Sequence, residues 1–366
     1  MVTQECQNST GEHGKVDTPK NPKRINNFWE PLYDPDFSGL NANFDWNVHQ
    51  KSVFTKLACA SDRLLDSIRT TEIPSWKGNN LSFIECDFSG DFNTILSFKK
   101  CRFFKCDMGS SIWRKAKFSE CQFDSCSFTV ATFEYCIFND CTWLNSGISG
   151  TETKIFDTVI TNPKPFIESA YTNTDEALLK RKNLTTPAYQ IFRLEESKLK
   201  LARLVLSNNE RHADDKAYYE SVKVYLLQSI SAKVSKAKYH RSKNERKVRN
   251  FISEVFGWFE RKIITFSGSI NGWGGNISRA AVFGAIVILF FTIAYRFIDF
   301  GCNLPLDWKL SFIKSFDISL LIGYTKHATT ALGWQEQAIY GSNALLGLWW
   351  YAIFVPTVIN RICRVR

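Results

Sequence analysis

Cysteine is the first residue type in this 366-residue chain whose spacing could do chemistry. Of eleven cysteines, seven (Cys86, Cys101, Cys106, Cys121, Cys126, Cys136 and Cys141) stand apart by multiples of five. Thiols gathered in this way are the raw material of disulfides or of a zinc site. Zinc sites, however, favour C-x-x-C pairs with histidine or further cysteine partners, and no histidine lies between Gln50 and Glu210. The five histidines, His13, His49, His212, His240 and His327, are dispersed and no nucleotide-binding motif accompanies them. No catalytic constellation results, so an enzyme, a metal and a cofactor are all unexpected. The cysteines read instead as small residues suited to burial.

The elements that must position them follow a period of five. From Phe83, every fifth residue is Phe83, Phe88, Asn93, Phe98, Phe103, Met108, Trp113, Phe118, Phe123, Phe128, Phe133, Phe138, Trp143 and Ile148, with only Asn93 breaking the apolar column. Two residues before each lies a column of mostly small side chains, which holds the seven cysteines. Five matches neither the 3.6 of a helix nor the 2 of a strand, so the period points to a solenoid.

In CDFSG, CRFFK, CQFDS, CSFTV, CIFND and CTWLN the sequence resembles the pentapeptide-repeat family, from Leu81 to about Ile148. The resemblance implies a right-handed quadrilateral β-helix over about 79–165, with four units per coil and residues twenty apart stacked. Phe83, Phe103, Phe123 and Trp143 would form one inner column, and Cys101, Cys121 and Cys141 another, in a rod of fewer than four coils. The solenoid core would be Phe83, Phe88, Phe98, Phe103, Phe118, Phe123, Phe128, Phe133, Phe138 and Trp143. Solenoid ends need caps, and the helical spacing of Val53, Leu57, Leu64 and Ile68 predicts an N-terminal helical cap within 46–78. Outward residues form no catalytic cluster, which suits a scaffold or a recognition surface for a protein partner. Nine acidic and eight basic residues between Leu81 and Lys154 leave a net charge near minus one, which does not suit mimicry of DNA. Nucleic acid is not an expected partner.

The flanking segments read differently. The stretch 1–45 is polar at its start, has no apolar run from Met1 to Asn27, and is expected to be disordered rather than a secretory signal. A helical connector is expected over 175–265. It starts near Thr185-Thr186-Pro187, turns at SNNE (Ser207 to Glu210) and continues as a second helix from Ala217 to Val234. Between Lys233 and Lys262 ten basic residues face three acidic ones, which reads as a juxtamembrane positive stretch beside a lipid bilayer.

The remaining segment, 266–366, is mostly apolar. Two spanning helices are expected at about 279–299 and 338–360, with Pro356 a candidate kink in the second. Basic residues before the first and Arg361, Arg364 and Arg366 after the second predict a hairpin with both ends cytoplasmic. Between them, about 308–326 is too polar to span and too apolar for an exposed loop, so a re-entrant segment is expected. SFIKSFDISLLIGYT resembles the pore helix and filter of two-helix potassium-type channels, and the order helix, pore helix, filter, helix agrees with them. By that resemblance the pore would be lined by Leu321, Ile322, Gly323, Tyr324, Thr325 and Lys326. The filter departs from Thr-x-Gly-Tyr-Gly, because only Gly323-Tyr324 survives and Thr325 stands where glycine is usual. The approach DDKAYYESVK and FSGSINGWGGNISRA also resembles bacterial pentapeptide-repeat proteins with an ion-channel-like C-terminus. The whole then implies a multi-pass bacterial inner-membrane protein, a homo-oligomer and a tetramer if a channel, with a cytoplasmic solenoid for sensing or assembly. The competing expectation is a non-conducting, membrane-anchored scaffold or a stress or phage-defence effector.

Overall fold

The computed structural model describes residues 22–46, 52–59, 75–148, 152–176, 179, 186–297, 307–322 and 333–364. Its helices are α1 (Pro22–Asn26), α2 (Pro163–Glu168), α3 (Pro187–His212), α4 (Asp215–Ser242), α5 (Lys247–Asn271), α6 (Ile277–Phe297), α7 (Trp308–Ser319) and α8 (Trp334–Arg364). The described residues between Val53 and Ile160 wind into a parallel β-solenoid of about four turns.

Three sides of each coil are short parallel strands and the fourth is a ladder of single bridges, Ala58–Asp87–Asp107–Ser127–Gly147. Residues twenty apart pair: Phe83 with Phe103, Phe103 with Phe123 and Phe123 with Trp143 on one side, Phe98 with Phe118 and Phe118 with Phe138 on the next. Their rings stack at 5.2, 4.9 and 4.4 Å in the first column and at 5.1 and 4.9 Å in the second. These separations follow the strand spacing of about 4.8 Å, so backbone pairing and ring stacking are satisfied by the same translation.

The cysteine column has its own periodic bond. Six of the seven thiols donate to the carbonyl twenty-three residues earlier, on the coil below, among them Cys106 to Phe83 at 3.3 Å, Cys121 to Phe98 and Cys126 to Phe103 at 3.4 Å, and Cys136 to Trp113 at 3.3 Å, while Cys86 reaches Phe54. In the last coil Thr153 and Thr158 take this role, donating to Phe128 at 3.0 Å and Phe133 at 3.2 Å. The position takes a small side chain, alanine at 116 and 131, and a donor there gains this bond, which explains cysteine without disulfide or metal.

Where the apolar column falters, the register shifts by one residue. Phe92, not Asn93, pairs with Trp113, and their rings stack at 4.3 Å. Asn93 turns outward and accepts a hydrogen bond from Arg114, whose guanidinium also pairs with Asp91 and Glu134. The solenoid also extends past the repeat at both ends. Phe54 stacks on Phe83 at 5.4 Å, and Ile155 and Ile160 pair with Phe133 and Phe138.

Two flanking expectations are corrected. Val53–Thr55 and Leu57–Ala58 are strands, not helix, because edge pairing of Phe54 with Phe83 buries it more fully than an amphipathic turn would. Ser75–Asn79, which overlaps the end of the expected cap, is also a strand, and 60–74 lie outside the described residues. Residues 22–45 are ordered onto the bridge-ladder side rather than disordered. Lys23 pairs with Asp107 at 3.0 Å, Arg24 donates to the Lys105 carbonyl at 2.7 Å, and Phe28, Leu32 and Phe37 are buried. Residues 1–21 lie outside the described residues.

The connector is also corrected at one point. SNNE is not a turn; α3 runs through it to His212, and the reversal falls at Ala213–Asp214, where the Asp214 carboxylate accepts from the Ala217 N–H at 2.8 Å. Asn208 and Asn209 stay helical because each is buried against the end of the solenoid. Asn208 accepts from the Thr158 N–H at 3.2 Å and donates to the Ile155 carbonyl at 3.1 Å. Asn209 makes the corresponding pair with Ile160. The C-terminal end of the solenoid is thus capped by α3 on this side and by α2 on the Trp143 side, where the Phe166 ring meets Trp143 at 4.6 Å.

Candidate functional site

The helices α6 and α8 are long and apolar enough to cross a membrane. Only 28% and 22% of their most apolar stretches are buried, which is low for helices in a soluble core. Against both lies α7, whose twelve residues extend about 18 Å, too short to cross a bilayer of ~30 Å.

Three serines at a spacing of four line the buried face of this short helix, and two of them, Ser315 and Ser319, seat it. Ser311, Ser315 and Ser319 share one face and are at most 1% exposed. Ser315 donates to the Ile288 carbonyl of α6 at 2.7 Å, and Ser319 donates to the Asn343 side chain of α8 at 2.7 Å. The Asn343 amide in turn donates to the Tyr295 hydroxyl at 3.0 Å and to the Ser315 carbonyl at 3.3 Å. One buried asparagine therefore ties all three helices, a costly arrangement in an apolar layer unless every group is paired. Gly347, one turn beyond Asn343, lies so near the Ser319 backbone that a Cβ would overlap it.

These contacts fix the depth of α7. Asn343 and Gly347 lie nine and thirteen residues past the start of α8, roughly 14 and 20 Å along its axis. The end of α7 is therefore near the middle of both long helices. Its cation is also accommodated: the Lys314 ammonium lies 4.6 Å from the Tyr340 ring centre and 5.5 Å from that of Tyr295. Beyond Ser319, Leu321 has φ of 60° and Ile322 is exposed. Gly323, Tyr324, Thr325 and Lys326 lie outside the described residues.

A second set of contacts joins this unit to the solenoid. Asn209, which caps Ile160, also donates to Ser221 of α4 at 2.8 Å. The start of α4 pairs with the far end of α8 through Asp215 and Arg361. The Tyr219 ring packs on Gly274 and Gly275, in the turn before α6, where a Cβ on Gly275 would come within 2.7 Å of the ring. Asn271, the last residue of α5, donates to Thr357 of α8 at 3.0 Å. The solenoid's last coil thus reaches the bases of both apolar helices through one helix, α4.

The ten solenoid residues Phe83, Phe88, Phe98, Phe103, Phe118, Phe123, Phe128, Phe133, Phe138 and Trp143 are all buried, none more than 8% exposed, and line no cleft. Among the described residues, no group of three or more His, Cys, Asp or Glu side chains is arranged to hold a metal ion. Sequence reasoning missed the serine seam, Asn343 and Tyr295. The signal was present as serine at every fourth position of WKLSFIKSFDIS and as a lone amide inside an apolar block. A scan against protein-family models finds no match for the chain, and a search of curated proteins finds none either.

Proposed function

We propose that this chain is an oligomeric, ion-channel-like membrane protein whose pentapeptide-repeat solenoid, on the cytoplasmic side, senses a partner or drives assembly. The observation that carries the reading is the seat of α7: a half-length helix, fixed by Ser315, Ser319 and Asn343, ends at mid-depth between two candidate spans. Irregular backbone follows it at Leu321 and Ile322, and such backbone is stable at that depth only where protein or a water-filled path satisfies it. Several copies around an axis would bring Leu321 to Lys326 of each together. Outward-facing apolar residues on α6 and α8, such as Val282, Leu289, Leu345 and Leu348, suit lipid and neighbouring copies. The link from Asn209 through α4 to Arg361 would carry a change at the solenoid to the spans. The test is ion flux through purified protein reconstituted in vesicles, with subunit number measured on the same sample. A tetramer that passes sodium, potassium or chloride supports the reading; a monomer, or an intact oligomer that passes none of them, overturns it.

A second reading is a non-conducting, membrane-anchored scaffold. It draws support from the solenoid wall, where Tyr135, Ile137 and Phe156 are 61%, 40% and 50% exposed on adjacent coils, an apolar patch suited to a protein partner. Truncations lacking Ala280 to Arg366 would then keep their partner binding in solution, and loss of all binding would sink this alternative.

A further inference from the structure

We infer that α5 is a membrane-surface helix, lying along the water–lipid boundary of an anionic leaflet with its apolar face in the lipid. The inference rests on the reading of α6 and α8 as spans. Its starting point is a face that the fold leaves largely uncovered: Val248, Ile252, Phe256, Phe259, Ile263 and Phe266 are between 46% and 74% exposed. Their spacing of three, four or seven residues puts them on one stripe of the helix, running almost its full 25-residue length. Such a stripe is too long and too aromatic to be an ordinary solvated surface.

The opposite face is the one that packs. Gly257 lies on it, and a Cβ there would come within 2.5 Å of Val234 on α4. The connector therefore holds α5 from behind and directs the apolar stripe away from the solenoid. At its C-terminal end the stripe runs into the apolar helices themselves: the Phe266 ring stacks on Trp349 of α8 at 5.2 Å and meets Phe283 of α6 edge-on at 6.3 Å. A surface continuous with the lipid-facing walls of two spans lies where headgroups and upper acyl chains begin.

Charge selects the occupant. All three acidic side chains between Lys233 and Lys262 are paired with residues of α4: Glu245 with His240, Glu254 with Arg241 and Glu260 with Lys233. Arg246, Lys247, Arg249 and Lys262 remain exposed around the stripe, and the Lys262 ammonium sits 5.5 Å from the centre of the Trp258 ring. A second copy laid against this face would crowd those cations together with no acidic residue of the stretch left to meet them. An anionic leaflet supplies both the apolar layer and the opposite charge. Because α5 leads directly into the turn that carries Gly274 and Gly275, its seating on the leaflet would bear on the base of α6.

The full chain, reconstituted in vesicles, tests this with an environment-sensitive fluorescent amino acid placed singly at Phe259 on the stripe, Ser253 on the exposed polar flank, or Leu289 in α6. The quenchers are aqueous iodide and lipids with a nitroxide on the headgroup or deep in the acyl chain. The expected result is that residue 259 is quenched by the headgroup nitroxide and shielded from iodide, more strongly when phosphatidylglycerol replaces part of the phosphatidylcholine. High salt reduces that gain, iodide reaches residue 253, and the deep nitroxide quenches residue 289. Deep quenching at 289 with iodide access at 259 overturns the surface helix alone. So does shielding at 259 from both iodide and headgroup nitroxide, which would mean cover by another copy. Headgroup quenching at 259 without deep quenching at 289 supports the surface helix and overturns the spanning reading. Absence of lipid quenching at both positions overturns the two together. As a second variant, Phe256→Glu with Ile263→Glu, both at exposed positions, is expected to open residue 259 to iodide while residue 289 stays deep. Continued shielding in that variant counts against the inference.

Discussion

Asn209 meets Ile160 as another strand would, its amide oxygen accepting the Ile160 N–H at 3.2 Å and its amide nitrogen donating to the Ile160 carbonyl at 2.9 Å. A carboxamide carries the same donor and acceptor as a peptide group, so a helix can end a stack of strands without leaving an open edge. Asn208 does the same on the neighbouring side, with Thr158 and Ile155.

Replacing Asn209 by leucine keeps the branched shape and removes both of these bonds together with the one to Ser221. It leaves a buried N–H and a buried carbonyl unpaired, at about 1–3 kcal/mol each. Asn209→Asp keeps the acceptor but sets a buried carboxylate oxygen against the Ile160 carbonyl, so its cost should be larger. Denaturant unfolding of the full chain in detergent should rank wild type above Leu and Leu above Asp. Amide exchange at Ile160 should accelerate in the leucine variant, and unchanged protection there would refute the cap.

The alkaline limb of stability should carry the signature of Cys136. Burial pushes its thiol up to about 11, while it donates to the Trp113 carbonyl. A raised folded value means the neutral thiol is the folded-state form. The stabilisation is then complete below the unfolded value near 9.0 and is lost as pH climbs toward about 11. Cys136→Ser keeps a small donor and removes the titration. The stability difference between wild type and this variant should shift by about 2–3 kcal/mol against wild type across that window, given 1.36 kcal/mol per unit. A difference that does not vary with pH would mean the thiol is not buried as described.

Much of this was legible because the solenoid's physics is local. A coil closes every twenty residues, so the pattern that stacks Phe83 on Phe103 is written directly in the spacing of the aromatic residues. Deviations were not legible, since Asn93 breaks a count of five while the fold slips one residue to use Phe92. Non-local pairing hid the rest. SNNE has turn composition, and only the arrival of the solenoid edge makes two helical asparagines better than a turn. Likewise Val53 and Leu57 satisfy a helical period and a strand equally well until Phe83 is there to pair with Phe54. Near α7 the apolar blocks were readable, whereas the bond from Ser319 to Asn343 joins residues on two helices and leaves only a weak trace in either.

Val130 should be a point where the solenoid can be improved. The corners fall on every fifth residue and are left-handed, from Lys100 with φ of 54° to Asn145 with φ of 48°. Polar residues fill most of them, but Val130, β-branched and 45% exposed, has φ of 62°. Left-handed backbone costs an ordinary residue about 1–2 kcal/mol, and asparagine less. Val130→Asn is therefore expected to raise stability by about 1 kcal/mol, readable as a higher denaturant midpoint with an unchanged slope. A lower midpoint would show that the exposed valine makes contacts worth more than the strain.

Gly347 offers the sharpest test of how α7 is held. Its lack of a side chain lets α8 approach until a Cβ would overlap the Ser319 carbonyl and Cα, which are backbone atoms and cannot swing aside. Gly347→Ala must therefore push the end of α7 away from α8, stretching the 2.7 Å bond from Ser319 to Asn343. Overpacking of this kind costs about 1–3 kcal/mol, and the interhelical bond adds about 0.6. Asn343→Leu removes the bond without the clash, so the pair separates packing from hydrogen bonding. Cysteines placed at Leu320 and Ala344 should form a disulfide readily in the wild-type background, more slowly with Asn343→Leu, and least with Gly347→Ala. If the alanine variant cross-links as fast as wild type, α7 is not wedged against α8, and the mid-depth seat on which the channel reading depends is lost with it.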